Sequence, residues 1–203
     1  MFHVKHLQAK LERYKTLLRE YHSALDLMSQ VAIDALDLKV KESLAYTNFI
    51  SSADIPLNIV DVGSGAGLPA VPIALALPHC QVHMVERRTK RTTFLKIVKA
   101  KLELSNLHVH ALDITEFKGV KANIISALAF SSLTDLYCLT RHLHGKDILV
   151  LSRKGPDWQN EVNELRSAIG DLNTIETGST ALSNDGTLVA LRLPGGLACQ
   201  SSA

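Results

Sequence analysis

The sequence predicts a doubly wound α/β fold, in which helices cover both faces of a largely parallel sheet. From Leu57 onward, short runs of β-branched and aliphatic residues alternate with helical patterns, and this alternation is typical of βαβ units. A glycine-rich turn follows the first of these runs, and each of the first three ends in a carboxylate. About seven strands are expected, with the last two so close in the chain that they should pair antiparallel at an edge of the sheet.

The spacing of apolar residues in the first fifty positions indicates a helical appendage on this sheet. Apolar residues recur at spacings of four and three from Leu7 to Leu25, which gives a helix with one apolar face. A weaker helical pattern covers about 35–50. We therefore predict an N-terminal helical appendage at 1–52, a main domain at 53–193 and a disordered tail at 194–203.

In the main domain, the sequence pattern predicts strands and helices in alternation. The strands are expected at Asn58–Val62, Gln81–Val85, Leu107–Leu112, Ala122–Ala127, Asp147–Leu151, from Ile175, and at Thr187–Leu193. The helices between them are expected at Leu68–Leu77, at Thr89–Leu104, near Ser132–Leu143 and from Pro156.

The turn after the first strand carries three glycines at alternate positions, Gly63, Gly65 and Gly67. Glycine adopts backbone angles that are closed to other residues, and without a Cβ it lets a ligand lie against the main chain. The free N–H groups of the following helix point toward such a ligand. The spacing is G-x-G-x-G, so it lacks both the dinucleotide fingerprint and the lysine of a phosphate-binding P-loop. The alternative interpretation is an ordinary strand-to-helix turn.

Carboxylates follow the first three strands, at the edge where open α/β sheets bind ligands. Glu86 is placed to accept hydrogen bonds from both hydroxyls of a ribose, and Asp113 is placed to meet an adenine amino group. Asp61 disfavours a pyrophosphate but tolerates a cation. Each acid alone could equally be a helix cap or a solvated loop residue. Together they favour an adenosine without a phosphate chain, and S-adenosylmethionine, with its cationic sulfonium, fits.

The stretch from Val60 to Pro69 resembles the core motif of class I methyltransferases. More narrowly, it resembles the RsmG (GidB) family, which methylates N7 of a guanosine in bacterial small-subunit rRNA. Glu86 is followed by basic residues and by Phe94-Leu95, as in the family, and Arg153-Lys154-Gly155 is similar to its L-K-G motif. The resemblance covers 1–193 and is strongest over 57–104. It implies a Rossmann-like class I methyltransferase sheet, S-adenosylmethionine as the methyl donor, and a cytoplasmic rRNA methyltransferase.

The resemblance and the motif together predict the site residues. The donor-binding residues are expected to be Asp61, Gly63, Ser64, Gly65, Gly67, Leu68, Glu86, Asp113 and Leu128. Leu128 and Asp113 stand where the family carries arginines. Lys154 is predicted to be catalytic, because it could hold a phosphate or the guanine O6, although it could equally be a solvated loop lysine. N7 already carries a lone pair, so its methylation needs alignment rather than a general base.

A stretch with seven cations and no acid follows the second strand, from Arg87 to Lys101. Net charge is only +2, so RNA binding would have to come from a local patch such as this one. A solvated helix face is the alternative. The residues predicted to bind RNA are Arg87, Arg88, Arg91 and Arg153. Phe130 and Trp158 are candidate platforms for a splayed base, although both fit packing roles as well.

Other patterns narrow the classes of function. The nine histidines show no pairing that suggests a hydrolase and no H-E-x-x-H metal signature, so no metal is expected. Three well-separated cysteines fit free thiols in a reducing cytosol. The start lacks a signal peptide and no apolar run could span a bilayer. A cytoplasmic monomer acting on small-subunit rRNA or an assembling subunit is the leading hypothesis. The alternatives are a methyltransferase for a small molecule or protein, and a non-catalytic RNA- or ribosome-binding protein.

Overall fold

Seven strands form one sheet in the computed structural model, which describes residues 2–50, 56–170, 175–195 and 197. The strands are β1 Asn58–Val62, β2 Gln81–Val85, β3 Leu107–His110, β4 Ala122–Ala127, β5 His144–Lys154, β6 Glu176–Ala181 and β7 Thr187–Pro194. Their order in the sheet is β3-β2-β1-β4-β5-β7-β6. The first five are parallel, whereas β7 is antiparallel to both β5 and β6. The predicted doubly wound sheet with an antiparallel edge hairpin is confirmed.

Helices cover both faces of this sheet. They are α1 Phe2–Tyr21, α2 Gln30–Asp34, α3 Leu36–Ala45, α4 Ala70–Ala76, α5 Thr89–Lys101, α6 Leu133–Thr140 and α7 Trp158–Ile169. Short 3-10 helices follow α3 at Tyr46–Phe49 and α6 at Arg141–Leu143. Buried side chains of α1, α3, α4 and α5 form one hydrophobic cluster with the sheet, and those of α6 and α7 form a second cluster on the other face.

The N-terminal helices belong to the first of these two clusters. Leu18 of α1 and Val40 of α3 are buried in it together with Ile59 of β1 and Ile73 of α4. Burying aliphatic side chains of this size stabilises a fold by about 1.5–3 kcal/mol each, so the N-terminal helices are firmly joined to the sheet. The predicted division of the chain into an appendage and a main domain near residue 52 therefore stays a prediction. Residues 51–55 lie outside the described part of the chain.

Several strand bounds differ from the predictions, and the ends of β3 and β5 are the two that affect the site. β3 ends at His110, not at Leu112, because β2, its neighbour among the described strands, ends at Val85, which pairs with His110. β5 begins earlier than predicted, at His144, and it continues beyond Leu151 because β7 pairs with it from Asp147 to Lys154. Asp113 thus lies in a loop beyond β3, and Lys154 lies within a strand instead of after it.

Three further points concern the cysteines, the tail and membranes. Cys80 is buried and free, whereas Cys138 is disulfide-bonded, so the prediction of free thiols is wrong at Cys138. Cys199 lies outside the described residues. β7 ends at Pro194, and most of the predicted tail after it lies outside the described residues. None of the helices in the described part of the chain is long and apolar enough to cross a membrane.

Candidate functional site

A cleft of about 510 Å³ opens at the carboxyl ends of β1 and β2, beside the loop that follows β4. This is the edge at which open α/β sheets bind ligands, and the volume suits a small molecule. The predicted site residues that line it are Gly63, Glu86, Arg87, Arg88, Arg91, Asp113 and Phe130. A second cleft of about 460 Å³ lies at the amino-terminal edge of the sheet, and none of the predicted site residues lines it.

The glycine-rich turn is tied to the end of β2 by its own backbone. The amides of Gly63 and Ser64 both donate to the carbonyl of Val85, at 2.9 and 3.2 Å. Gly63, Gly65 and Gly67 have φ values of +66°, +56° and +94°, and residues that carry a Cβ rarely adopt such backbone angles. The predicted reason for glycine at these positions is therefore confirmed for the backbone.

Glu86 holds the turn in place from the end of β2. Its Oε2 accepts a hydrogen bond from the Gly65 amide at 2.9 Å, and its Oε1 accepts one from the Arg88 amide at 2.8 Å. The residue is only 5% exposed, yet it lines the cleft. A carboxylate has about four acceptor positions, so two remain for a ligand such as a ribose. Hydrogen bonds to a charged group are strong ones.

Asp61 lies behind the cleft and is buried with its partners. Its Oδ1 accepts a hydrogen bond from the hydroxyl of Ser126 at 2.7 Å, while Oδ2 has no partner among the described residues. The hydroxyl of Ser64 donates to the backbone carbonyl of Asp61. Burial, together with the nearby charge of Glu86, raises the pKa of Asp61 to about 7. Ser64 and Leu68 are buried too, so these three predicted donor-binding residues support the turn from within.

Asp113 sits at the exposed rim of the cleft. Its Oδ1 accepts hydrogen bonds from the amide and hydroxyl of Thr115, at 3.1 and 2.9 Å, and these lower the pKa of the carboxyl group. Its Oδ2 is 3.9 Å from Arg87 Nη1, in a pair whose side chains are largely exposed. Such pairs contribute little to stability. Contact with an adenine stays a prediction.

The loop after β4 forms another wall of the cleft. Leu128 directly follows β4, as predicted, and packs against the cluster beneath the N-terminal helices. Phe130 lines the cleft, and its ring would lie 3.7 Å from a Cβ added to Gly63. Trp158 packs instead against the second cluster, at the start of α7. Of the two candidate platforms, only Phe130 is therefore in the cleft.

Arg153 and Lys154 are neighbours on β5 whose side chains point to opposite faces of the sheet. Arg153 Nε lies 3.7 Å from Oε2 of Glu42 on α3, and Nη2 donates to the carbonyl of Ser183 at 3.1 Å. Neither basic residue lines the cleft. The roles predicted for them in RNA binding and catalysis therefore stay predictions.

Lys154 joins the loop after β4 to α7. Its amine donates to the carbonyl of Ser131 and lies 2.7 Å from Oε2 of Glu161. The same Glu161 oxygen accepts the amide of Leu133, the first residue of α6, at 3.0 Å. Lys154 is 6% exposed, so the described contacts make it a support for the wall that carries Phe130.

The basic stretch has an exposed face that begins at the cleft. Arg87 and Arg88 are exposed at the rim, and Lys90 and Lys96 are exposed along α5. Arg91 is half-buried, and its Nε donates weakly to the carbonyl of Asp26 at 3.4 Å. Within the described part of the chain, Arg87 alone of the seven cations forms an ion pair. The local positive charge is thus largely uncompensated.

Two buried tyrosines contact the site, and no motif in the sequence indicates this role. Tyr14 of α1 donates its hydroxyl to the carbonyl of Ala66 at 2.8 Å, and Tyr46 donates to the carbonyl of Ala127 at 3.0 Å. In the sequence, Tyr14 falls on the apolar face predicted for the helix between Leu7 and Leu25. The available signal was its hydroxyl, because a buried tyrosine usually finds a hydrogen-bond partner.

The fold is that of S-adenosylmethionine-dependent methyltransferases. A methyltransferase of this kind from Aquifex aeolicus superimposes with a TM-score of 0.61 at 14% identity, covering 84% of this chain and 97% of that one. TYW2 of M. jannaschii, solved in complex with AdoMet, gives a TM-score of 0.57 at 13% identity over 83% of this chain and 78% of its own.

The family is narrower than the fold. Residues 7–185 match the family model of rRNA small subunit methyltransferase G, also called GidB. The chain therefore belongs to this methyltransferase family, and the predicted resemblance is confirmed.

Individual relatives agree with the family match. Ribosomal RNA small subunit methyltransferase G of Nitrosomonas eutropha is 38% identical over 69% of this chain and 64% of its own length. The proteins of that name from Francisella philomiragia and Campylobacter jejuni subsp. doylei are 36% and 29% identical, over 73% and 81% of this chain and 71% and 86% of their own lengths. The match to the Nitrosomonas protein thus spans slightly less than two thirds of that relative.

Proposed function

We propose that this protein transfers the methyl group of S-adenosylmethionine to N7 of a guanosine in bacterial small-subunit rRNA. The observation that carries the proposal is the coincidence of the family match over 7–185 with a cleft built from the family's glycine-rich motif. The partner is the rRNA itself or an assembling small subunit, which implies a cytoplasmic location. A monomeric state stays a prediction.

The cleft suits the donor chemically. Gly63 leaves space where a side chain would otherwise enter the cleft, with Phe130 as its nearest neighbour. Glu86 retains acceptor positions for the two ribose hydroxyls. The carboxylates of Glu86 and Asp113 line the cleft together with Arg87, Arg88 and Arg91, so the donor's sulfonium can lie beside the acids while the arginines remain for RNA phosphates. When bound, the donor supplies an activated methyl group.

The proposed reaction needs positioning more than acid–base chemistry. Guanine N7 has a free lone pair, so no proton has to be removed before attack. Holding N7, the methyl carbon and the sulfur in line can supply much of the rate. The protein would hold the base against Phe130 in the cleft. Within the described residues, no group of three His, Cys, Asp or Glu side chains is placed to hold a metal ion.

The function is tested by methyl transfer from tritium-labelled S-adenosylmethionine. Purified small ribosomal subunits, the rRNA extracted from them, and large subunits serve as parallel substrates. We expect label in small-subunit rRNA only, recovered as N7-methylguanosine after digestion. Label in another nucleoside, or no transfer to either form of the small-subunit rRNA by protein that binds the donor, would contradict the proposal.

The basic rim provides a prediction about RNA binding. Replacing Arg87 and Arg88 together by glutamate is expected to weaken rRNA binding and to flatten its dependence on salt, because fewer counterions are released from phosphates. Donor affinity should change little. Replacing Lys118 and Lys121, which lie away from the cleft lining, by glutamate is the matched control for the change in net charge. If the dependence of rRNA binding on salt concentration is unaltered, Arg87 and Arg88 belong to a solvated surface that does not contact RNA.

Lys154 provides a prediction that separates transfer from donor binding. Lys154→Ala removes the link between Ser131 and Glu161, so the wall that carries Phe130 should loosen. We expect transfer to fall about tenfold or more, since misplaced reactants lose alignment, with a smaller loss of donor affinity. Lys146→Ala, at an exposed position near the other end of β5, is the control. Wild-type transfer by Lys154→Ala would show that Lys154 has no role in the reaction.

A further inference from the structure

We propose that Tyr14 and Tyr46 are positioning residues, through which the N-terminal helices hold two walls of the cleft in their working shape. The two phenols have separate tasks: Tyr14 fixes the glycine-rich turn for the donor, and Tyr46 fixes the end of β4 for the acceptor. The role of Tyr46, which we call the acceptor half of the inference, rests on the proposed function. The role of Tyr14, the donor half, requires only that S-adenosylmethionine or its product binds.

Tyr14 contacts the turn at its centre. The phenol is fully buried, and its hydroxyl donates to the carbonyl of Ala66, which lies between Gly65 and Gly67. A Cβ added to Gly67 would lie 3.1 Å from this hydroxyl oxygen, so α1 and the turn are in close contact. The turn is thus held from the cleft side by Glu86 at Gly65 and from the opposite side by Tyr14 at Ala66.

Tyr46 contacts the other wall. It is also fully buried, and its hydroxyl donates at 3.0 Å to the carbonyl of Ala127, the last residue of β4. The loop that leads to Phe130 starts immediately after this residue. The direction in which the chain leaves β4 therefore depends on a hydrogen bond from the N-terminal segment.

Both phenols are held in the form that donates. Burial, with the nearby charge of Asp61, raises the pKa of Tyr14 and of Tyr46 well above the ordinary value. They consequently stay protonated over the working pH range. If either hydroxyl is removed, a buried carbonyl loses its partner, and such unpaired groups are costly. The loop that carries the carbonyl is then expected to shift in search of another donor.

Tyr→Phe substitutions at three positions test this division of tasks. Tyr14→Phe is expected to weaken binding of S-adenosylhomocysteine about five- to tenfold. Tyr46→Phe should leave the affinity for S-adenosylhomocysteine within about twofold of the wild type. It should slow single-turnover methyl transfer to small subunits about five- to tenfold. Tyr137→Phe is the matched control, because Tyr137 is equally buried but its hydroxyl contacts the carbonyl of Pro194 at 3.4 Å, in the cluster on the other face.

Calorimetric affinity and single-turnover rate are measured for all three variants, together with their thermal stability. The inference is overturned if Tyr14→Phe binds S-adenosylhomocysteine like the wild type, or if Tyr137→Phe reproduces its loss, since the effect would then be one of general stability. Failure of the wild type to methylate rRNA would contradict the proposed function but not the role of Tyr14. That role is still tested by the affinity of Tyr14→Phe for S-adenosylhomocysteine. If Tyr14→Phe does not fold, hydrogen exchange in the wild type decides: S-adenosylhomocysteine must slow exchange in α1.

Discussion

Gly67→Ala is expected to destabilise the protein by about 2–6 kcal/mol and to abolish donor binding. The residue has a φ of +94°, and a Cβ there would lie 2.8 Å from Cγ2 of Val71 and 3.2 Å from Cδ2 of Leu95. Backbone strain of this kind costs about 1–3 kcal/mol, and overpacking costs about 1–3 kcal/mol more. The turn cannot relieve both without moving away from Tyr14.

Gly119→Ala separates these two contributions. Gly119 has a φ of +90°, but nothing lies within 4 Å of a Cβ added to it. This variant therefore carries the backbone strain without the clash and should be destabilised by only about 1–3 kcal/mol. Unfolding in urea measures both variants. Equal losses of stability would show that close packing of α1, α4 and α5 around the turn is unimportant.

The second large effect is expected at Glu86. Glu86→Ala removes the acceptor of the Gly65 and Arg88 amides as well as the proposed anchor of the ribose. Hydrogen bonds to a charged group contribute about 1.5–3 kcal/mol, so donor affinity should fall about tenfold or more. Isothermal titration with S-adenosylmethionine measures the change.

Two companion variants sharpen this test. Glu116→Ala removes an exposed carboxylate outside the cleft lining and should bind the donor like the wild type. Glu86→Gln keeps the shape and one carbonyl oxygen, and an intermediate affinity is expected. Unchanged binding by Glu86→Ala would show that the ribose assignment is wrong. Lower stability with unchanged affinity would leave Glu86 as an anchor of the turn only.

The central strands were predictable because their signal is local. β1, β2 and β4 have the predicted bounds, since each is a short aliphatic run with a turn signal beside it. The ends of β3 and β5 were not predictable, because each depends on a neighbouring strand: β2 stops at Val85, and β7 extends alongside β5. Pairing across the sheet overrides local propensity there.

The site was predictable in part for the same reason. Gly63 and Glu86 belong to local motifs and do line the cleft. The contacts of Tyr14 and Tyr46 join residues 52 and 81 positions apart in the chain, and no spacing in the sequence indicates them. Nor does the sequence reveal that Asp61 is buried behind the cleft, because position at a strand end does not fix which way a side chain faces.

The most direct measurement of the proposed function is a map of N7-methylguanosine in small-subunit rRNA, made by chemical cleavage of RNA from cells with and without the gene. We expect one guanosine that is methylated at N7 when the gene is present and unmethylated when it is deleted. Wild-type protein should restore the methyl group, whereas Glu86→Ala expressed at the same level should restore little of it. Identical methylation maps with and without the gene would contradict the proposed function.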